Sequence, residues 1–306
     1  MAGQTSNAGA VTLRQIGWML ALGTIWGSSY LFIKLLIDAA DPVTIIALRM
    51  VLGAATLGAI LLAQRRQLPA WGPVWGHLAI MSLLGNLLPF WLIAWSQKYT
   101  TSALAAVLNA AIPLFTLLIA AVAFRMERIT PNRVAGITLG IAGVAFLTGR
   151  SVLDVQSSGG LGELALLAAS LCYGFAFAYA RRFVRGNPLA NVTAQLGIGA
   201  IVITPLALLT GWIEPDRLAA TDIAGWIILS AVGTGLAYVV YYSLIAEMGA
   251  TAASFVTYII PVVGVILGWA FLDERLAWTG FLGMALIVAG VWVSVGRRDS
   301  GFGNRG

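Results

Sequence analysis

Residues 102–144 read SALAAVLNAAIPLFTLLIAAVAFRMERITPNRVAGITLGIAGV, and residues 250–291 read ATAASFVTYIIPVVGVILGWAFLDERLAWTGFLGMALIVAGV. Each is an apolar run that carries a proline, ends in a charged clip, and continues into a second apolar run with glycines. Pro113 answers Pro261, Glu127-Arg128 answers Glu274-Arg275, Gly136 answers Gly283, and Gly143-Val144 answers Gly290-Val291. From the clip onward the offset is a constant 147 residues. Outward from this stretch, Trp26-Gly27 matches Tyr173-Gly174, Pro42 matches Pro188 and Gly85 matches Gly233, at offsets of 146 to 148. The chain therefore reads as two versions of one unit, residues 1–149 and 150–306, joined by the polar, glycine-containing segment 149–160.

Composition says what kind of unit this is. Hydrophobic residues make up 59% of the chain and charged residues only 10%, with a mean hydropathy of +0.90. A soluble domain carries about 25% charged residues, so a water-soluble fold of this composition would expose far too much apolar surface. The 35 glycines fit close packing of helices in a bilayer. A single cysteine, Cys172, excludes an internal disulfide framework and a multi-cysteine metal site, and a single histidine, His77, argues against a histidine metal cluster or a catalytic triad. No cofactor and no metal are expected. The net charge of +6 is spread along the chain and is no nucleic-acid signature.

Apolar runs occupy roughly 16–37, 43–63, 77–97, 102–124, 132–149, 161–181, 188–210, 220–246, 249–272 and 277–296. Each approaches the ~20 residues that cross ~30 Å of hydrocarbon as a helix. Barrel strands would be near 10 residues with a period of two, which these runs lack. The first run is too long for a signal peptide and ends at Lys34 and Asp38 instead of a small-residue cleavage site. The fold expected is an all-α membrane protein of ten transmembrane helices. With a cytoplasmic N-terminus, twelve basic residues fall on the cytoplasmic side, five fall opposite, and Arg49 lies inside a span. That bias places both termini in the cytoplasm. Trp71, Trp75, Trp212, Trp226 and Trp278 fall near run ends, where interfacial aromatics belong. Five spans per unit is odd, so the second unit enters the membrane inverted. Many secondary transporters are built this way, with substrate bound near the midplane where the repeats meet.

The residues resemble the drug/metabolite transporter superfamily, and within it the EamA-type ten-span exporters. The likeness runs through Ile25-Trp26-Gly27-Ser28-Ser29 to Lys34, Pro42 to Ala47-Leu48-Arg49, and Tyr99-Thr100-Thr101-Ser102-Ala103 to Pro113-Leu114-Phe115 and Glu127-Arg128. In the second half it rests on Gly162-Glu163, where the family usually has Gly-Asp, and on Asp273-Glu274-Arg275. It covers nearly the whole chain. It implies an inner-membrane carrier that exports small metabolites, often amino acids, with aromatic amino-acid exporters as the nearest likeness.

Charged residues inside a span are functional candidates, and Arg49 is the clearest. Its alternatives are structural pairing with a neighbouring helix or contact with substrate. No carboxylate lies mid-span, which argues against a proton antiporter of cationic drugs. The spans offer aromatic and amide side chains instead. Trp26 with Tyr30, Asn86 with Phe90, and Tyr238 with Tyr242 are each four apart and share a helix face. Asn109 stands four before Pro113, Ser254 and Tyr258 precede Pro261, and Tyr173 is the repeat partner of Trp26. These ten residues are the candidate substrate contacts, weighed against plain helix packing. An unpaired amide in hydrocarbon costs free energy, so Asn86 and Asn109 need a helix, water or ligand partner. Pro113 and Pro261 each free a carbonyl four residues back, at Asn109 and Thr257, and are candidate hinges. The expected partners are a small molecule and the bilayer, with the chain a monomer or homodimer. A multidrug or cation exporter is the alternative, and a membrane-embedded enzyme a weaker one.

Overall fold

The structure, a computed structural model, describes residues 12–126, 129–149, 158–249 and 253–295. The Glu127-Arg128 clip, most of the junction between the halves and both chain ends lie outside these residues. Helices run α1 Leu13–Leu36, α2 Pro42–Ala63, α3 Val74–Ser96, α4 Ser102–Val122, α5 Pro131–Thr148, α6 Ser158–Phe183, α7 Pro188–Thr210, α8 Ala220–Met248, α9 Val256–Leu272 and α10 Trp278–Val295. Seven of them, α1 to α4 and α6 to α8, are long and apolar enough to cross a membrane, and α9 and most of α10 are shorter apolar helices. Among the described residues the only extended pairing is a single bridge between Ala40 and Ile213. The chain is a multi-pass, all-helical membrane protein.

Local chemistry explains where the helices start. Asp41 and Asn187 accept the backbone N–H of Thr44 (2.7 Å) and Ala190 (3.1 Å), each just ahead of a proline at the first helical position. The matched Pro42 and Pro188 are thus helix-start prolines behind a side-chain cap, where the missing N–H costs nothing. Both α3 and α8 widen to π-helix in mid-course, at Leu83–Leu87 and Ile228–Leu236.

The two prolines matched in sequence differ in local conformation. α4 breaks at Ala110-Ala111, whose N–H groups bond back to Val107 and Leu108, three residues away. Pro113 then sits in the first turn of the second piece. Pro261 lies inside continuous α9, and the turn comes earlier, at Ser254-Phe255. That turn is why α9 begins at Val256, seven residues into the expected run.

α2 packs on α7, α1 on α9, α6 on α3 and α4, α4 on α9, and α5 on α10. The last pair touches backbone to backbone. A Cβ on Gly143 would stand 2.7 Å from the Gly283 carbonyl oxygen, and one on Gly283 would stand 2.7 Å from that of Gly143. Only glycine permits this approach, so the repeated glycines are contact residues.

Polar contacts gather at the helix ends. At one end Lys34 Nζ donates to the carbonyls of Gln97 (2.5 Å) and Thr100 (2.9 Å) at the close of α3, where a cation meets the negative pole of the helix. Beside it, Asp41 Oδ2 accepts from Trp212 N at 2.7 Å. The opposite end carries the Arg14–Glu247 ion pair at 2.9 Å and a 2.7 Å bond between His77 Nδ1 and the Tyr179 hydroxyl. Of the expected interfacial tryptophans, Trp71, Trp212 and Trp278 are exposed, whereas Trp226 is buried against the core. Trp226 lies six residues into α8, nearly two turns from the helix start, and faces the bundle.

Candidate functional site

Where α2, α3, α7 and α8 cross, four polar side chains from four helices pair off. Arg49 Nε donates to Thr234 Oγ1 at 2.9 Å. Asn86 Nδ2 faces Gln195 Oε1 at 3.4 Å. Each pair joins a helix of the first half to one of the second, and all four residues are buried. Thr234 and Asn86 both sit in the π-helical stretches, whose extra residue per turn carries these side chains into the bundle.

Aromatic residues close around the pairs. The Arg49 guanidinium lies 3.8 Å over the Phe90 ring, a cation–π contact that α2 and α3 supply jointly. Phe90 meets Tyr173 edge-on at 6.5 Å. The hydroxyl of Tyr238 donates to Asn86 Oδ1 at 3.3 Å, its ring meets Trp26 edge-on at 6.2 Å, and Tyr242 stacks on it at 6.1 Å. Tyr30, Tyr173 and Tyr238 all stand within electrostatic reach of Arg49. One helix further, Asn109 donates to the Tyr30 hydroxyl and its Oδ1 accepts from Ser170 Oγ at 3.0 Å. The break after Asn109 frees this amide from a helical run and sets it against α1 and α6.

Eight of the candidates therefore converge: Trp26, Tyr30, Asn86, Phe90, Asn109, Tyr173, Tyr238 and Tyr242. Ser254 and Tyr258 lie apart. Ser254 is exposed in the turn before α9. Tyr258 packs with Ala110, Leu114, Ile287 and Val291 and borders an apolar groove between α9 and α10, together with Pro261 and Trp292. Thr234, Gln195 and Ser170 joined the cluster without any periodic signal to mark them. The repeat offset was the signal available, because Gln195 stands 146 residues after Arg49 and Thr234 stands 148 after Asn86.

The arrangement suits a ligand with an apolar ring and a few polar groups. Aromatic faces offer contact area, and the amides, phenols and guanidinium offer donors and acceptors in a site closed off from water. Among the described residues there is no group of three His, Cys, Asp or Glu side chains placed to hold a metal ion.

A polar cluster buried at the crossing of membrane-length helices is what a membrane transporter needs for its cargo. Comparison with known proteins agrees. The profile of the EamA-like transporter family matches residues 13–149 and again 160–296, and the chain belongs to that family. It is 24% identical over 277 residues to the uncharacterized transporter YoaV of Bacillus subtilis, covering 90% of this chain and 94% of that one. It is 27% identical over 289 residues to the uncharacterized inner membrane transporter YedA of Escherichia coli, covering 92% and 90%. A solved crystal structure at 21% identity has the same fold, with a TM-score of 0.63 over 92% of this chain and 97% of that one.

Proposed function

We propose that the chain is a secondary carrier that exports neutral amino acids, aromatic ones included, by alternating access about the central cluster. In this reading it spans the inner membrane ten times, as two inverted five-helix repeats at 1–149 and 150–306, with both termini cytoplasmic. It is a carrier and not an enzyme, in line with the names of its relatives.

The observation that carries the reading is the paired contact at the crossing. Arg49–Thr234 and Gln195–Asn86 exchange with one another under the same offsets that relate the two halves. A site built symmetrically from both halves is what an inverted-repeat carrier needs at its midplane. The helix packing supports it too. Swapping the halves turns the α1–α9 contact into α6–α4 and leaves α2–α7, α4–α9 and α5–α10 unchanged. The family profile matches each half separately. The end contacts join Lys34 to residues 97 and 100, and Arg14 to Glu247, pairs that ten alternating spans would put on one side.

Counterflow into proteoliposomes preloaded with unlabelled L-phenylalanine tests it. Labelled phenylalanine and leucine are expected to accumulate transiently, and quaternary cations are not. Movement of quaternary cations alone, driven by a proton gradient, would establish the multidrug alternative.

A further inference from the structure

Arg49 is a buried cation with an incomplete set of partners. Its residue is 6% exposed and sits two turns into α2. Among the described residues its guanidinium makes one hydrogen bond, through Nε to Thr234 Oγ1, and no ion pair. No acceptor among the described residues bonds its two terminal nitrogens. The groups around the charge are a benzene face and three phenols, which soften a positive charge but do not neutralise it. A guanidinium held away from water without a counter-charge is costly, and its fork of N–H groups matches a carboxylate.

The repeat sharpens the point. Gln195 occupies the position in α7 that Arg49 occupies in α2, and it meets Asn86, a neutral amide. The two ends of an otherwise matched cradle thus differ in charge. A symmetric structural tie between the halves needs only neutral hydrogen bonds, as Gln195 and Asn86 demonstrate. The charge on one side has a separate use.

We infer that the guanidinium of Arg49 is the subsite for a carboxylate on the transported molecule, which seats its anionic end between α2 and α8 and its neutral or cationic end toward Asn86 and Gln195. This rests on the carrier reading above and names the chemical class of its cargo: small monocarboxylates with an apolar body, whether or not they also carry an amine.

Matched pairs that differ only at the carboxyl group test it on the purified full chain in detergent. The probes are L-phenylalanine against L-phenylalaninamide and phenylacetate against phenylacetamide, read by titration calorimetry and by tryptophan quenching. Wild type is expected to bind each acid at least about 10-fold more tightly than its amide. Arg49→Gln is expected to weaken the acids by about 10- to 150-fold and to leave the amides nearly unchanged. Arg49→Lys should recover part of the loss. Equal binding of acids and amides by wild type overturns the inference. So does an Arg49→Gln variant that loses both alike, which is what a purely structural tie between α2 and α8 would do. If Arg49→Gln does not fold, the wild-type comparison decides alone, and if no acid binds wild type the inference falls. Should phenylacetate show the preference while phenylalanine fails to bind, the amino-acid reading falls and the carboxylate subsite stands. Should phenylalanine exchange in liposomes yet bind no better than its amide, the reverse holds.

Discussion

Replacing Glu274 with alanine should destabilise the fold through the far end of another helix. The Glu274 carboxylate accepts from Ser102 N at 2.8 Å, Ser102 Oγ at 2.9 Å and Ala103 N at 2.9 Å. Ser102 N and Ala103 N are the first two N–H groups of α4, which have no partner inside the helix. Thr101 Oγ1 takes the next, from Leu104 at 3.1 Å, and Thr101 O takes that of Ala105 at 3.1 Å. The first turn of α4 is therefore fully satisfied, and Glu274 supplies half of it from the loop between α9 and α10. Three charge-assisted bonds would suggest a large effect. The site is only partly buried, so water replaces much of what is lost. The remaining cost is that of a lost cap plus a lost charge at a helix start, about 1–2 kcal/mol for Glu274→Ala. Glu274→Gln keeps an acceptor and should cost about half that, near the 0.3–1 kcal/mol of the charge alone. Denaturant unfolding in detergent measures both. A double-mutant cycle with Ser102→Ala isolates the hydroxyl–carboxylate bond, with an expected coupling of about 1 kcal/mol. Wild-type stability of Glu274→Ala would refute the argument, because it would mean that water serves the first turn of α4 as well as Glu274 does; zero coupling in the cycle would remove the hydroxyl's share alone.

Gly143→Leu should separate α5 from α10 and cost about 1–3 kcal/mol or more, since the added side chain meets the Gly283 carbonyl; unchanged thermal unfolding would contradict the close approach. Pro113→Ala and Pro261→Ala should slow exchange and leave equilibrium binding unaltered, and wild-type rates in both would remove the hinge role. Reporter fusions at the C-terminus and in the loop after Phe183 should report a cytoplasmic location, and a periplasmic C-terminus would remove the ten-span arrangement.

Much of the architecture was legible because it depends on bulk properties. A run of apolar residues bounded by Asp41-Pro42 or Asn187-Pro188 declares both its length and its start. The repeated glycines were legible as landmarks, and their role in the α5–α10 contact follows from their lack of a side chain. The site was legible where a large aromatic or amide sits in an apolar run, as with Tyr30, Asn86, Phe90, Asn109, Tyr173 and Tyr238. It was not legible where the partner is small or common. Ser170 and Thr234 look like ordinary helix residues, because a hydroxyl can bond to its own helix as readily as to a neighbour. Gln195 becomes visible only once the repeat offset carries Arg49 onto it. The break at Ala110-Ala111 was announced by Pro113 and not by the alanines themselves, since alanine is the best helix former. The turn at Ser254-Phe255 rotated Ser254 and Tyr258 away from the cluster, and spacing relative to Pro261 held no hint of that.

The central claim is that one site is reached in turn from both faces of the membrane. Its most direct test uses the sole cysteine to advantage. With Cys172→Ser as background, Asn86→Cys places a single thiol in the buried cluster. A membrane-impermeant thiosulfonate is then applied to right-side-out and to inside-out vesicles. The account predicts reaction from both sides, and protection on both by saturating L-phenylalanine. Reaction from one side only, with and without that substrate, would contradict it.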